Sequence, residues 1–187
     1  MGGTQFSLPA GKRIAVIVSV LLETWSDNKY PSYFPRTSPL GQGKIDYAAI
    51  DWSQFGGRDG IWRLNRILSQ EQIRGTLFCN ARSAELFAPA VKRWIASGHS
   101  IAGHAYLQNE LLADMSLEDE RTTIRKSLSV PRDVSGAKVQ GWVTPIYGWT
   151  QNTIGFLAEE GLAWTSDGMH ASMPRLRGSG AVARRHR

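Results

Sequence analysis

The chain is poor in cysteine: it has only Cys79, so an internal disulfide is excluded and the fold rests on its own core. Cys79 sits in the apolar run Thr76-Leu77-Phe78-Cys79, which reads as a buried thiol rather than a nucleophile. No apolar run is long enough to cross a bilayer as a helix. Met1 to Gly11 has no charged start followed by an apolar stretch, so no signal peptide is read there. These absences set the expectation of a cytoplasmic protein with no membrane partner. No groove-reading motif is present either, so no specific nucleic-acid partner is expected. Histidine is also scarce. Of four, three lie before the last few residues, and two of those, His99 and His104, fall in one stretch.

What is present is ordinary for a globular domain. The 187 residues are 42% hydrophobic and 20% charged, enough for one domain with a real core. The net charge of +6 is not evenly spread. Arg175, Arg177, Arg184, Arg185 and Arg187 carry nearly all of it, leaving the body close to neutral. Residues 171–187 are rich in Gly, Ser and Arg and lack apolar periodicity, so a basic, disordered tail is expected after a domain spanning 1–170. Such a tail can hold phosphate backbones without sequence preference.

Arg13 to Val20 is a β-branched run, which predicts a strand buried on both faces and ending at Leu21-Leu22-Glu23. Residues 24–60 have little periodicity and many aromatics, among them Trp25, Tyr30, Tyr33, Phe34, Tyr47, Trp52 and Phe55. A loop of that length reads as a lid or as an inter-subunit contact, and the latter would make a homo-oligomer. Then come a helix at 60–69, a strand at 76–79 ending at Asn80, and a helix at 83–97 interrupted by Pro89. The short apolar segment Ile101-Ala102 leads to His104. A charged helix is predicted over 116–128, opened by Ser116 and Asp119 at capping-box spacing. A strand at 141–144 is stopped by Pro145. A helix at 150–160 and a strand at 162–165, followed by Asp167, complete the series.

This alternation predicts an α/β fold with a parallel sheet and crossover helices. Glu23, Asn80, His104, the Pro145–Tyr147 turn and Asp167 each follow a strand, so all should lie at the strands' C-terminal edge. In parallel α/β folds that edge holds the active site. The expectation is therefore an enzyme in which Glu23, Asn80, His104 and Asp167 face a common cavity.

Glu23, Gly98-His99-Ser100-Ile101-Ala102-Gly103-His104, Gly141-Trp142-Val143-Thr144-Pro145 and Leu157-Ala158-Glu159-Glu160-Gly161-Leu162 together resemble the polysaccharide deacetylase (NodB-homology) family. The stretches Tyr33 to Leu40 and Phe55 to Arg58 are similar to its cytosolic, allantoinase-like and cyclic-imide-hydrolase-like branch. The resemblance covers residues 12 to 170. It implies a deformed (β/α) barrel, here incomplete at the C-terminus, since a full eight-stranded barrel takes about 250 residues. It also implies hydrolysis of a non-peptide C–N bond, often with a divalent metal such as zinc. The substrate would be a small amide, linear or cyclic, or an N-acetylated sugar.

Three positions depart from the family pattern. Leu21-Leu22-Glu23 offers one carboxylate where the family places two aspartates. Gln108 stands where a second histidine is usual, and Val143 where an arginine is usual. A typical metal triad is thus not present. The residues expected to carry the chemistry are Glu23, as general base or metal ligand, and His104, as metal ligand or proton shuttle. Asn80, Tyr147 and Trp149 would line the substrate pocket, with the aromatics of 24–60 closing it. The alternative is a non-catalytic, degenerate barrel that binds a carbohydrate or small amide, or serves as an assembly subunit.

Overall fold

The computed structural model describes residues 8, 11–31, 34, 40–41 and 43–169. The expected basic tail, and Tyr33 with 35–39 of the aromatic loop, lie outside the described residues. Among the described residues, five strands form one sheet in the order β1-β2-β3-β4-β5: β1 Val18–Leu22, β2 Gly75–Cys79, β3 Ser100–Gly103, β4 Gly141–Trp142 and β5 Trp164–Thr165. All four pairings are parallel. The helices between them are α1 Tyr47–Phe55, α2 Ile61–Gln70, α3 Ala81–Leu86, α4 Ala88–Ala96, α5 Leu117–Ser135 and α6 Thr153–Glu159. Strand follows neighbouring strand around the sheet with helices as crossovers, which is the course of a (β/α) barrel wall.

Alternation along the strands separates two faces. Leu77 and Cys79 of β2 and Ile101 of β3 point toward the helices, into a core with Ile61, Val91, Trp94, Ile124, Leu128 and Trp142. Phe78 and Ala102 point the other way and join Val143 in a second, smaller cluster. Trp164 stands edge-on to Phe78 there, with ring centroids 5.8 Å apart. Burial in the main core pushes the Cys79 thiol far above its usual pKa, which keeps it protonated and inert.

Several elements differ from the sequence expectations. The first strand begins at Val18 rather than Arg13, and Ile14, Val16 and Ile17 are exposed. The reason is register: Val18 pairs with Gly75, where β2 begins, so the preceding β-branched residues have no neighbouring strand among the described residues. Nor is β1 buried on both faces, because it is an edge strand of the described sheet with Val18 and Val20 only half-buried. The loop 24–60 contains α1, opened by the Asp46 side chain accepting the Ala49 N–H at 3.0 Å, and a π-helical turn at Gly56–Gly60. The helix expected over 83–97 is two helices that break at Phe87, with Pro89 in the first turn of α4, where its missing N–H costs nothing. The helix α5 runs past Leu128 and through Pro131 to Ser135, and ends on Gly136 in the left-handed conformation at φ 66°. The Ser116 hydroxyl caps it, accepting the Asp119 N–H at 3.2 Å as the spacing predicts. The strands at 141–144 and 162–165 shrink to two residues each.

Candidate active site

The β1 strand delivers Glu23, β2 delivers Asn80 and β3 delivers His104, each immediately or one residue past the strand's end. Because the three strands are adjacent and parallel, their C-terminal ends coincide. Glu23 and His104 meet: His104 Nε2 lies 3.3 Å from Glu23 Oε1. The other imidazole nitrogen, Nδ1, lies 2.7 Å from the Val143 carbonyl oxygen just past β4. A carbonyl only accepts, so Nδ1 carries the proton and the ring plane is set. The Nε2···Oε1 contact is then attractive only with a second proton between the two atoms. His104 is 2% exposed, whereas the Glu23 side chain is 23% exposed. The carboxylate is the member that reaches solvent, and the imidazole stands behind it.

Asn80 is fully buried and acts as a crosspiece. Its Oδ1 accepts the Thr24 N–H at 2.9 Å, its Nδ2 donates to the His104 carbonyl, and its own N–H donates to Leu22 O at 3.1 Å. Both ends of its amide are thus taken by backbone groups on either side of the Glu23–His104 pair. The same join is repeated one turn later. Gln108 N–H donates to Thr24 O at 2.9 Å, and Asn109 Oδ1 accepts the Ser26 N–H at 2.7 Å. After His104, Ala105 adopts φ 54° and its carbonyl accepts the Ala81 N–H at 3.0 Å.

Asp167 is also buried, below the turn that leaves β4. It accepts the Thr144 N–H at 2.6 Å, the Thr144 hydroxyl at 3.0 Å and the Thr165 hydroxyl at 2.6 Å. Asp167 therefore fixes the residue next to Val143, whose carbonyl orients His104. The expectation of one cavity faced by Glu23, Asn80, His104 and Asp167 gives way to a hydrogen-bonded scaffold in which Glu23 alone is partly open. Tyr147 and Trp149 remain large exposed groups on the β4 turn, at the same edge. Of the loop aromatics, Trp25, Tyr30 and Trp52 pack around buried Phe34, with centroids 5.1, 5.5 and 4.3 Å from it. That cluster starts two residues beyond Glu23, while Tyr47 and Phe55 face solvent. His99 is structural: its Nδ1 accepts the Gly75 N–H at 3.2 Å and its ring lies 4.3 Å from Trp94.

Glu23 and His104 supply two donors for a divalent metal, and the Nδ1–H to carbonyl bond presents Nε2 as ligating histidines do. A catalytic zinc takes three protein ligands from His, Cys or carboxylate. No group of three such residues lies together among the described residues. Gln108, in the second histidine's place, buries an Oε1 without a hydrogen-bond partner, but a neutral amide is a poor zinc ligand. The described residues therefore do not supply the ligand set of a zinc centre.

Sequence reasoning missed the Val143 carbonyl, the Thr24 and Ser26 ties and the strained backbone at Ala105. A backbone carbonyl has no side-chain signature. Only the asparagines at 80 and 109, each just after a strand or in its loop, hinted at backbone bracing.

The family model described as polysaccharide deacetylase matches residues 50–164, more than half of the chain. A peptidoglycan deacetylase of Helicobacter pylori is 27% identical over 116 residues, covering 62% of this chain and 39% of the relative. A peptidoglycan deacetylase-like protein of Gibberella zeae is 26% identical over 167 residues, covering 88% of this chain and 47% of the relative. The chain thus spans less than half the length of these curated relatives. The crystal structure of PuuE allantoinase superposes with a TM-score of 0.71 at 21% identity, covering 84% of this chain and 55% of that one. That likeness concerns the fold: the five strands follow the wall of a deacetylase-type barrel.

Proposed function

The chain belongs to the polysaccharide deacetylase family, and on that premise we propose that its site hydrolyses the amide of an N-acetylated sugar. The observation that supports this is the Glu23–His104 contact at 3.3 Å, with Nδ1 held by Val143 at 2.7 Å. Glu23 faces the substrate and removes a proton from water as the water oxygen attacks the acetyl carbonyl carbon. A proton sits between Glu23 Oε1 and His104 Nε2 throughout, and the other carboxylate oxygen of Glu23 holds the proton taken from water until the second step. The proton is then returned to the amide nitrogen, the C–N bond breaks, and acetate and a free amine leave. His104, behind the carboxylate, acts as proton partner and aiming device for Glu23. Asn80 holds both in register, and Tyr147 and Trp149 offer apolar faces to the sugar. Substrates with a cyclic amide would use the same water and the same proton path.

The test is acetate release from tetra-N-acetylchitotetraose, with hydantoin hydrolysis as the cyclic-amide comparison. His104→Ala is expected to lower kcat about 10²–10⁴-fold while the protein stays folded. Full activity in that variant overturns the proposed role. The two-donor site and the burial of His104 favour a second reading, a non-catalytic barrel that holds a carbohydrate. It predicts binding of the chitotetraose without acetate release.

A further inference from the structure

Among the described residues, five other than glycine have positive φ: Asn28, Gln72, Ala105, Ile146 and Tyr147. Three of them bracket His104. Ala105 follows it directly, and Ile146 and Tyr147 lie three and four residues past Val143, whose carbonyl holds its ring. Ile146 is the most unusual of these, a β-branched side chain at φ 52° and ψ 19°, followed by Tyr147 at φ 55°. Left-handed backbone crowds Cβ against the carbonyl, and a β-branched residue there is a genuine outlier. Such strain persists only where the surroundings over-determine it.

Here they do. The stem of the turn is locked at Thr144, which gives its N–H and hydroxyl to Asp167 and accepts the Trp142 indole N–H at 2.9 Å. The far side is locked at Gly148, whose N–H donates to Pro145 O at 3.0 Å and whose carbonyl accepts the Ala113 N–H at 3.0 Å. Between the two locks Ile146 is 70% exposed, Tyr147 49% and Trp149 41%. Core packing is therefore not what keeps isoleucine at that position. Strain and exposed apolar surface coincide at one turn, on the sheet edge that carries Glu23 and His104.

We propose that Ile146 and Tyr147 form a strained recognition lip that contacts an N-acetylated glycan through the apolar C–H face of a sugar ring. This rests on the glycan reading above and adds Ile146 as a specificity-determining residue. The lip trades stability for contact, so its two properties are measured separately. At an ordinary position Gly is less stable than Ala, but at a left-handed position the order reverses. Ile146→Gly is expected to melt about 2–4 °C above Ile146→Ala. Both variants, and Tyr147→Gly, are expected to bind tetra-N-acetylchitotetraose at least about fivefold more weakly than the parent by calorimetry, a modest contact loss. Ile146→Gly melting below Ile146→Ala refutes the strain. Binding unchanged in the Ile146 variants, or no binding by the parent chain, refutes the lip. A parent that binds the glycan but releases no acetate overturns the hydrolytic reading alone, and the lip stands if the Ile146 variants weaken that binding.

Discussion

Removing the Asp167 carboxylate perturbs the candidate site from below without touching Glu23 or His104. The carboxylate accepts three hydrogen bonds in a buried setting, two from Thr144 and one from Thr165. In Asp167→Ala the two hydroxyls can rotate toward other acceptors. The Thr144 N–H cannot, because the backbone aims it. A buried donor left unpaired costs about 1–3 kcal/mol, and each lost bond to a charged group about 1.5–3. Allowing for hydroxyl relaxation, the expected loss is about 3–5 kcal/mol, within the range for breaking a buried charged network. For a chain of this size that lowers Tm by about 6–20 °C. Asp167→Asn separates geometry from charge. Its amide oxygen still accepts the Thr144 N–H, and its NH₂ group donates to hydroxyls that turn to accept. The expected loss is below about 1.5 kcal/mol. Urea unfolding followed by tryptophan fluorescence reports both variants, since Trp142 and Trp164 lie in the adjoining strands. The reasoning fails if Asp167→Ala lies within about 1 kcal/mol of the parent, or if Asn is as damaging as Ala. The His104 imidazole NMR signals should also shift more in the Ala variant, because Thr144 then no longer anchors Val143.

Two further outcomes follow from single environments. His99 has its pKa lowered from 6.5, first by burial and then by the nearby Arg74 charge. Protonation would also place a proton on Nδ1, where the Gly75 N–H donates. The unfolded chain therefore binds this proton more readily, and stability falls as pH drops through 6.5 toward the lower folded value. Denaturation midpoints at pH 8 and pH 5.5 measure the effect, and His99→Asn, which keeps an acceptor but does not titrate, should flatten that part of the profile. Gly103 is packed so closely that a Cβ would lie 2.6 Å from the Trp142 ring and 2.9 Å from Leu128. Gly103→Ala should cost about 1–3 kcal/mol by overpacking, seen as a lower urea midpoint at unchanged m-value.

The alternation of apolar runs and helical stripes, read from the sequence, determined the parallel order of the elements. It also placed Glu23, Asn80, His104 and Asp167 past the ends of their strands, because each element's period is local and each residue's position after it is a matter of counting. The lone buried thiol and the Ser116 cap were legible for the same reason. What the sequence left open was non-local. The β-branched run from Arg13 looked like a strand throughout, but a strand needs a neighbour, and β2 starts only opposite Val18. The charged helix was read as ending at Leu128, yet α5 continues through Pro131 to Ser135 with the proline itself buried. Asn80 and Asp167 looked like groups lining a cavity, yet tertiary structure turned them inward, because unpaired backbone N–H and C=O groups near the strand ends had to be satisfied. Only the folded chain put the Glu23 carboxylate against an imidazole whose orientation depends on Val143. A carbonyl just past a third strand carries no mark in the sequence, and three-dimensional proximity alone turns it into part of a site.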